Sequence, residues 1–151
     1  MLQRVPAATL GANTASHEQL MRQSLEKTCP CGSEFPLAAC CAPFIRGLGL
    51  PPTATATMRS RYTAFVLNNR DYLLDTWHAS TRPNGLLMDT DRQWLGLSIK
   101  LTEAGDAGDA SGLVEFVARF KVAGRAHRIH ERSRFQCEEG RWYYVDGNRL
   151  E

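Results

Sequence analysis

Residues 113–122 read LVEFVARFKV, and this stretch decides the fold. Apolar or small side chains stand at every second position from Val114 to Val122, while Glu115, Arg119 and Lys121 lie between them. A period of two is the period of a β-strand that buries one face and exposes the other. The stretch therefore predicts a long strand whose Val114 face lies in the protein core.

Three more strand-like segments surround this one. Residues 94–103 precede it with apolar side chains at 95, 97, 99 and 101, and a Gly/Asp/Ala-rich connection follows them. Two segments come after it, 126–137 and 141–145, each introduced by a short turn that contains glycine. Short turns between alternating segments favour hairpins. We therefore expect four antiparallel strands.

Two helices are predicted before the strands. Apolar side chains recur with helical spacing from about residue 55 to 67, at Met58, Tyr62, Phe65 and Val66. A second, shorter helix is expected over 71–77, followed by a polar loop. The order of two helices and then four strands predicts an α+β fold in which the helices pack on one face of a curved antiparallel sheet.

Upstream of the helices, residues 29–41 read CPCGSEFPLAACC. Four cysteines form two close pairs, and the Pro and Gly residues between them bias the chain to reverse its direction. Two thiolate pairs facing each other across a loop suit a tetrahedral ion. The predicted site is a structural zinc knuckle, with iron as the alternative that four thiolates also suit. Its ligands would be Cys29, Cys31, Cys40 and Cys41.

A disulfide framework, Cys29–Cys40 with Cys31–Cys41, is the alternative to a metal. Adjacent Cys40 and Cys41 are poor partners for each other, because a disulfide needs Cα atoms further apart than a trans dipeptide allows. Residues 1–28 contain no apolar segment of signal-peptide length. We therefore expect a cytoplasmic protein with reduced thiols, a setting in which such a pattern favours metal binding.

Length and composition predict one main domain. The chain has 151 residues, of which 43% are hydrophobic and 23% charged, enough for one ordinary core. A net charge of +2 does not indicate specific nucleic-acid recognition, and no apolar run is long enough to span a membrane. We expect a loosely ordered extension (1–28), the knuckle (29–46) and a domain with its own core (53–149).

Several separate strings together resemble the YchJ-like family of bacterial proteins: CPCGS at 29–33, MRSRY at 58–62, TWH at 76–78, STRP at 80–83, VEFVARF at 114–120 and RWYYVDG at 141–147. The cysteine cluster also looks like the metal-binding tail motif of the SecA translocation ATPase, whose ligands hold zinc. The resemblance implies a nuclear-transport-factor-two-like cone behind a zinc knuckle. This fold hosts enzymes, binding proteins and dimerisation modules alike, so the resemblance implies little about activity.

A pocket is expected at the open end of the cone, lined by Arg61, Tyr62, Trp77, His78, Glu131, Phe135 and Tyr144. Glu131 shares its strand face with apolar residues, so its carboxylate should point inward and find donors. The candidate donors are Arg61, Tyr62 and His78. Neighbouring His130 points to the opposite face and cannot form a dyad with Glu131.

Two classes of function remain open. No nucleophilic triad, phosphate-binding loop or pair of carboxylates at a defined spacing is present in the sequence, which places catalysis below binding. The first class is a non-enzymatic adaptor whose knuckle docks on a SecB-like chaperone or a ribosome, with a homodimer through the cone also open. The second class is a small-molecule binder or enzyme that uses the cone pocket.

Overall fold

The structure, a computed structural model, describes residues 18–20, 22–23 and 25–150. Most of the extension predicted at 1–28 lies outside these residues. Its described part is helical over 18–20, 22–23 and 25–26, and Leu25 packs against the core. None of the described helices is long and apolar enough to span a membrane.

Four antiparallel strands form one sheet in the order β1-β2-β3-β4, so each strand pairs with the next along the chain. This confirms the predicted α+β architecture. The last strand continues beyond its predicted end at Val145, because Glu131 and His130 pair with Arg149 and Leu150. The strands are β1 (Gln93–Ala104), β2 (Ser111–Val122), β3 (Arg125–Glu138) and β4 (Arg141–Leu150).

Short helical segments precede the sheet: a 3-10 turn (Leu37–Ala39), then α1 (Ala42–Ile45), α2 (Ala54–Val66) and α3 (Arg70–Asp75). Helix α2 has no acidic residue in its first turn. Its N-terminus is capped by Thr53, whose side chain accepts a hydrogen bond of 3.0 Å from the Ala56 N–H. Helix α3 is capped in the same way by Asn69.

The inner face of the sheet, defined as the face covered by α2, forms the core. The alternation predicted for β2 is observed, because Val114, Phe116, Ala118 and Phe120 are all buried. On β3, the same face buries Ser133 and Phe135. The sequence pattern therefore identified the inner face of both central strands correctly.

Strand β1 departs from simple alternation. Register shifts lie between Trp94 and Gly96 and between Ile99 and Leu101, so the strand carries two bulges. As a result Trp94 pairs with Phe120 on the inner face, while Leu95 and Leu101 are 47% and 41% exposed. The prediction that both leucines share the face of Leu97 is therefore wrong.

The cysteine loop has no core separate from that of the sheet and α2. Cys29, Cys31, Leu37 and Cys41 belong to the same buried cluster as Met58 and Tyr62 of α2 and Phe116 of β2. One buried cluster therefore crosses the predicted boundary between the knuckle and the domain at 53–149. Apolar contacts run without interruption from the knuckle to the sheet.

The cap of α2 gives a direct test of how this helix begins. Replacing Thr53 with Ala removes the acceptor for the Ala56 N–H, and we expect the free energy of unfolding to fall by about 1 kcal/mol. Thr53→Ser keeps the hydroxyl and should cost much less. Urea denaturation of both variants measures this. Equal stability of Thr53→Ala and the parent protein would contradict the assigned cap.

Candidate metal centre and ligand pocket

The four cysteines of the knuckle converge on one point. Their Sγ atoms all lie within 4.8 Å of one another, with Cys31 Sγ 3.6 Å and Cys41 Sγ 3.8 Å from Cys40 Sγ. Four thiolates bound tetrahedrally at about 2.3 Å from one ion stand about 3.8 Å apart. No disulfide joins any of the five cysteines, all of which lie in the described part of the chain. The cluster can therefore hold a metal ion.

Local backbone structure brings the two cysteine pairs together. Gly32 and Glu34 adopt positive φ angles of 82° and 72°, and the Cys29 N–H donates to Phe35 O at 2.8 Å, which closes the loop. A Cβ at Gly32 would lie 3.1 Å from Leu97 O of β1. Glycine at this position thus permits both the turn and the close approach of the loop to the sheet.

Polar groups of α2 and of the loop surround the sulfurs. Thr63 Oγ1 lies 3.5 Å from Cys29 Sγ, and Ser33 Oγ lies 3.1 Å from Cys40 Sγ. Arg59 Nη1 donates to Cys31 O at 2.6 Å. Burial raises the pKa of the Cys40 thiol, so it stays protonated unless a cation stabilises the thiolate. The surroundings therefore fit a cation bound by thiolates, with neighbouring donors that orient the thiolate ligands.

A cavity of about 200 Å³ lies between α2, the segment after α3 and the inner face of the sheet. Five of the seven predicted pocket residues line it: Arg61, Tyr62, Trp77, Glu131 and Tyr144. The other lining residues are Met58, Phe65, Arg92, Trp94, Phe116, Ala118, Ile129, Ser133 and Arg149. Most of the wall is therefore apolar or aromatic, with a few charged groups.

His78 and Phe135 lie outside the cavity, contrary to the prediction. The chain after α3 bridges to β4, and the His78 N–H donates to Tyr144 O at 2.7 Å. Successive side chains along an extended segment point to opposite sides, so Trp77 faces the cavity and His78 faces away from it. The His78 ring lies 2.6 Å from Glu138 Oε1. Phe135 is buried in the core.

Glu131 points into the cavity, but its partners differ from those expected. Ser133 Oγ donates to Glu131 Oε1 at 3.0 Å and Tyr144 OH donates to the same oxygen at 3.3 Å. Arg149 Nε lies 3.6 Å from Oε2. None of the predicted donors Arg61, Tyr62 and His78 is among these partners; the nearer residues of β3 and β4 take that role.

Gly147 makes room for the Glu131 carboxylate. It stands opposite Ser133 in the β3–β4 ladder, and a Cβ there would lie 2.0 Å from Glu131 Oε1. Any other residue at 147 would displace the carboxylate. Burial raises the pKa of Tyr144 to about 12, with the Glu131 charge contributing. Tyr144 therefore stays a neutral donor to Glu131 at physiological pH.

Arg61 is a buried cation on the cavity wall. Its Nη1 donates to Leu73 O and to Thr76 Oγ1, both at 2.7 Å. Its guanidinium carbon lies 4.6 Å from the ring centroid of Tyr144 and 5.2 Å from that of Trp77. Burial lowers the pKa of Arg61 to about 10, so the group is still protonated at neutral pH. Its position is fixed by neutral oxygens and aromatic faces.

Sequence reasoning missed nine of the residues that line the cavity, and three of them contribute strongly to its shape and charge. Trp94 reaches the inner face because of the β1 bulge, which Gly96 could have indicated. Arg149 lies on the part of β4 that was not predicted, and strict alternation from Tyr144 would place it on the outer face. A register shift opposite Arg134 and Phe135 brings it to the inner face instead. Arg92 precedes β1 in a loop and had no periodic signal.

Several other groups that could exchange protons, His130 among them, lie on the outer face of the sheet. His130 Nε2 is 3.2 Å from Glu115 Oε2, and Arg132 binds the other oxygen of the same carboxylate at 2.8 Å. Hydrogen bonding from Arg132 lowers the pKa of Glu115. Asp146 pairs with Arg134 on the same face. These groups cannot reach the cavity.

The fold of the domain that follows the cysteine cluster recurs in known proteins. Residues 53–147 match the family model described as "YchJ, middle NTF2-like domain". A UPF0225 protein of Chromobacterium violaceum is 53% identical over 130 residues, which cover 83% of this chain and 96% of that protein. One from Cupriavidus pinatubonensis is 51% identical over 128 residues, covering 81% and 88%.

Two solved structures share the architecture. The solution structure of a SEC-C motif containing protein from Rhodopseudomonas palustris has a TM-score of 0.73 and 30% identity, and covers 83% of this chain and 100% of that chain. The crystal structure of a SEC-C motif containing protein from Psychrobacter arcticus has a TM-score of 0.68 and 25% identity, covering 85% and 86%. The chain belongs to the YchJ-like family, with a nuclear-transport-factor-two-like domain behind its cysteine cluster.

Proposed function

We propose that this protein is a non-enzymatic adaptor whose zinc knuckle binds another protein. The observation that carries the proposal is the orientation of the cysteine loop. Cys29, Cys31 and Cys41 are buried against the cone, whereas Phe35, between the two cysteine pairs, is 62% exposed. A loop that directs its ligands inward and an aromatic ring outward suits protein contact, since aromatic side chains are enriched at interfaces.

The ion we propose is zinc in a structural role. Four cysteines supply a complete tetrahedral set, which leaves no position for water or substrate. The SEC-C motif of the two structural neighbours and the likeness to the SecA tail support zinc over iron. A reducing compartment, for which we propose the cytoplasm, keeps these thiols available to the metal.

The partner we propose is a chaperone of the SecB kind. Its support is the likeness of the cluster to the SecA tail motif, which is associated with that chaperone, together with the exposed Phe35 ring. A ribosomal partner or a second copy of this chain are the competing possibilities. The binding experiment below separates the chaperone from the ribosome.

A small-molecule binder is the second candidate function. The specific observation in its favour is the cavity lined by the buried Arg61 cation, the Glu131 carboxylate and several aromatic rings. Concave, largely apolar sites with a few placed polar groups are typical of ligand pockets. The two candidate functions use different surfaces of the protein, so one does not exclude the other.

Metal analysis tests the first step of the adaptor proposal. We expect protein purified without oxygen to contain one zinc ion per chain, held by four sulfurs at about 2.3 Å. Elemental analysis gives the stoichiometry and X-ray absorption spectroscopy gives the coordination. A spectrum with a bound water, or iron in place of zinc, would overturn the structural zinc assignment.

Loss of the metal should destabilise the whole domain and not only the knuckle. Cys41→Ser removes a ligand from the cluster that is continuous with the cone core. We expect the free energy of unfolding to fall by more than about 3 kcal/mol, since loss of a metal site is among the large single-residue effects. Fluorescence of Trp77, Trp94 and Trp142 follows unfolding of the cone.

The matched control is Cys137→Ser, which changes a half-buried cysteine outside the cluster. It should leave the zinc content unchanged and cost less stability. If Cys41→Ser lost zinc but kept the unfolding transition of the parent protein, the knuckle and the cone would be independent units after all.

Binding to purified SecB tests the partner. We expect isothermal titration to detect a complex with the zinc-loaded protein, and Phe35→Ala to weaken it at least about tenfold, since truncating an aromatic anchor commonly costs more than 1.4 kcal/mol. Leu87→Ala is the control, because Leu87 is an apolar side chain 98% exposed outside the knuckle. If the protein co-sediments with ribosomes and does not bind SecB, the chaperone is rejected as the partner. If Phe35→Ala binds SecB as tightly as the parent protein, the cysteine loop is rejected as the contact surface.

A further inference from the structure

The cavity has two chemically different ends. Sheet order puts β1 and β4 at opposite edges. The polar end, beside β4, contains Arg61, Trp77, Glu131, Tyr144 and Arg149. The aromatic end, beside β1, is formed by Tyr62, Phe65 and Trp94. The ring centroids of Tyr62 and Phe65 lie 5.6 and 5.7 Å from that of Trp94. A molecule that fills the cavity therefore needs a polar head and a flat apolar body.

Positive charge predominates on the wall. Among the lining residues Arg61, Arg92 and Arg149 are cations, and Glu131 is the single carboxylate. The Arg61 guanidinium is buried and its hydrogen bonds go to neutral oxygens of Leu73 and Thr76. A buried cation without a contacting anion favours a negative group beside it, because water is not there to screen it. The head of the bound molecule should therefore be an anion.

Hydrogen-bond donors remain for such a head. Both protein bonds of Arg61 use Nη1, which leaves Nε and Nη2. Arg149 has a side chain 69% exposed and adds a donor at the polar end.

The volume limits the size of the molecule. About 200 Å³ holds roughly seven waters at about 30 Å³ each. This is below the range of about 300–1,000 Å³ for drug-sized molecules, so nucleotides and fused multi-ring compounds are too large. A single ring with one short substituent fits.

We propose that the cavity binds a single-ring aromatic carboxylate, with its carboxylate between Arg61 and Arg149 and its ring against Tyr62 and Trp94. The inference rests on the second candidate function and names its ligand class. Glu131, held by Ser133 and Tyr144, offsets one of the positive charges. Arg92 lies over the Phe120 ring on the side of β1, so the two cations at the polar end are Arg61 and Arg149. With Glu131 they leave one net positive charge there, which matches a monoanion.

Four probes separate charge from shape. Benzoate carries both ring and charge, benzamide the ring alone, acetate the charge alone and benzylamine a ring with the opposite charge. We expect benzoate to bind the zinc-loaded protein at least about tenfold more tightly than any of the other three, a difference of about 1.4 kcal/mol. Titrations followed by amide chemical shifts should locate the changes at residues of α2, β1 and β4.

Two variants with opposite signs test the charges. Arg149→Gln removes a cation at the polar end and should weaken benzoate binding, whereas Glu131→Gln removes the repelling carboxylate and should strengthen it. A purely structural role for these residues would not give opposite changes. Arg134→Gln is the control, because this exposed arginine pairs with Asp146 on the outer face. It should leave the affinity unchanged.

The outcomes separate this inference from the function on which it rests. If benzamide or benzylamine binds as tightly as benzoate, the anion class is wrong while the pocket function stands. If inorganic phosphate binds more tightly than benzoate and displaces it, the assignment of the ligand as a carboxylate is wrong. If Arg149→Gln and Glu131→Gln shift the affinity in the same direction, the charge argument fails. If no probe perturbs the cavity residues, both the ligand class and the small-molecule function are rejected.

Discussion

The burial of helix α2 on three sides is the constraint on which the rest of the structure depends. One side contacts the cysteine loop through Thr63 and Arg59. A second side contacts α3, where Ser60 Oγ lies 2.7 Å from Tyr72 OH. The third side, with Met58 and Tyr62, faces the sheet and the cavity. Because a helix is rigid along its length, the four-cysteine cluster and the pocket have a fixed relative position.

Small polar residues make this threefold burial feasible. Thr57, Ser60 and Thr63 are fully buried, and the hydroxyls of Thr57 and Ser60 donate to backbone carbonyls of the same helix. Satisfying a hydroxyl locally removes most of the cost of burying it. Because these side chains are small, the cysteine loop and α3 can each approach α2 closely.

Sequence reasoning succeeded wherever a local period or spacing carried the information. Alternation along β2 and β3 identified the inner face and the inward direction of Glu131, and the close cysteine pairs identified the converging thiols. It failed where the outcome depends on register between strands. The bulge that turns Trp94 inward and the pairing of Arg149 with Glu131 are properties of two strands at once. Gly96 hints at the bulge, but neither the face on which Trp94 lies nor the pairing of Arg149 can be read from one segment alone.

Binding of a metal ion at the four cysteines would be thermodynamically linked to pocket formation through α2. An ion that binds the folded knuckle more tightly than the unfolded chain stabilises every element that folds with it. Here that includes α2, because Cys29, Cys31 and Cys41 share one buried cluster with Met58 and Tyr62, and these two residues also line the cavity. The linkage is reciprocal. A molecule that fills the cavity therefore also favours the state in which the four thiolates are assembled, although it contacts none of them.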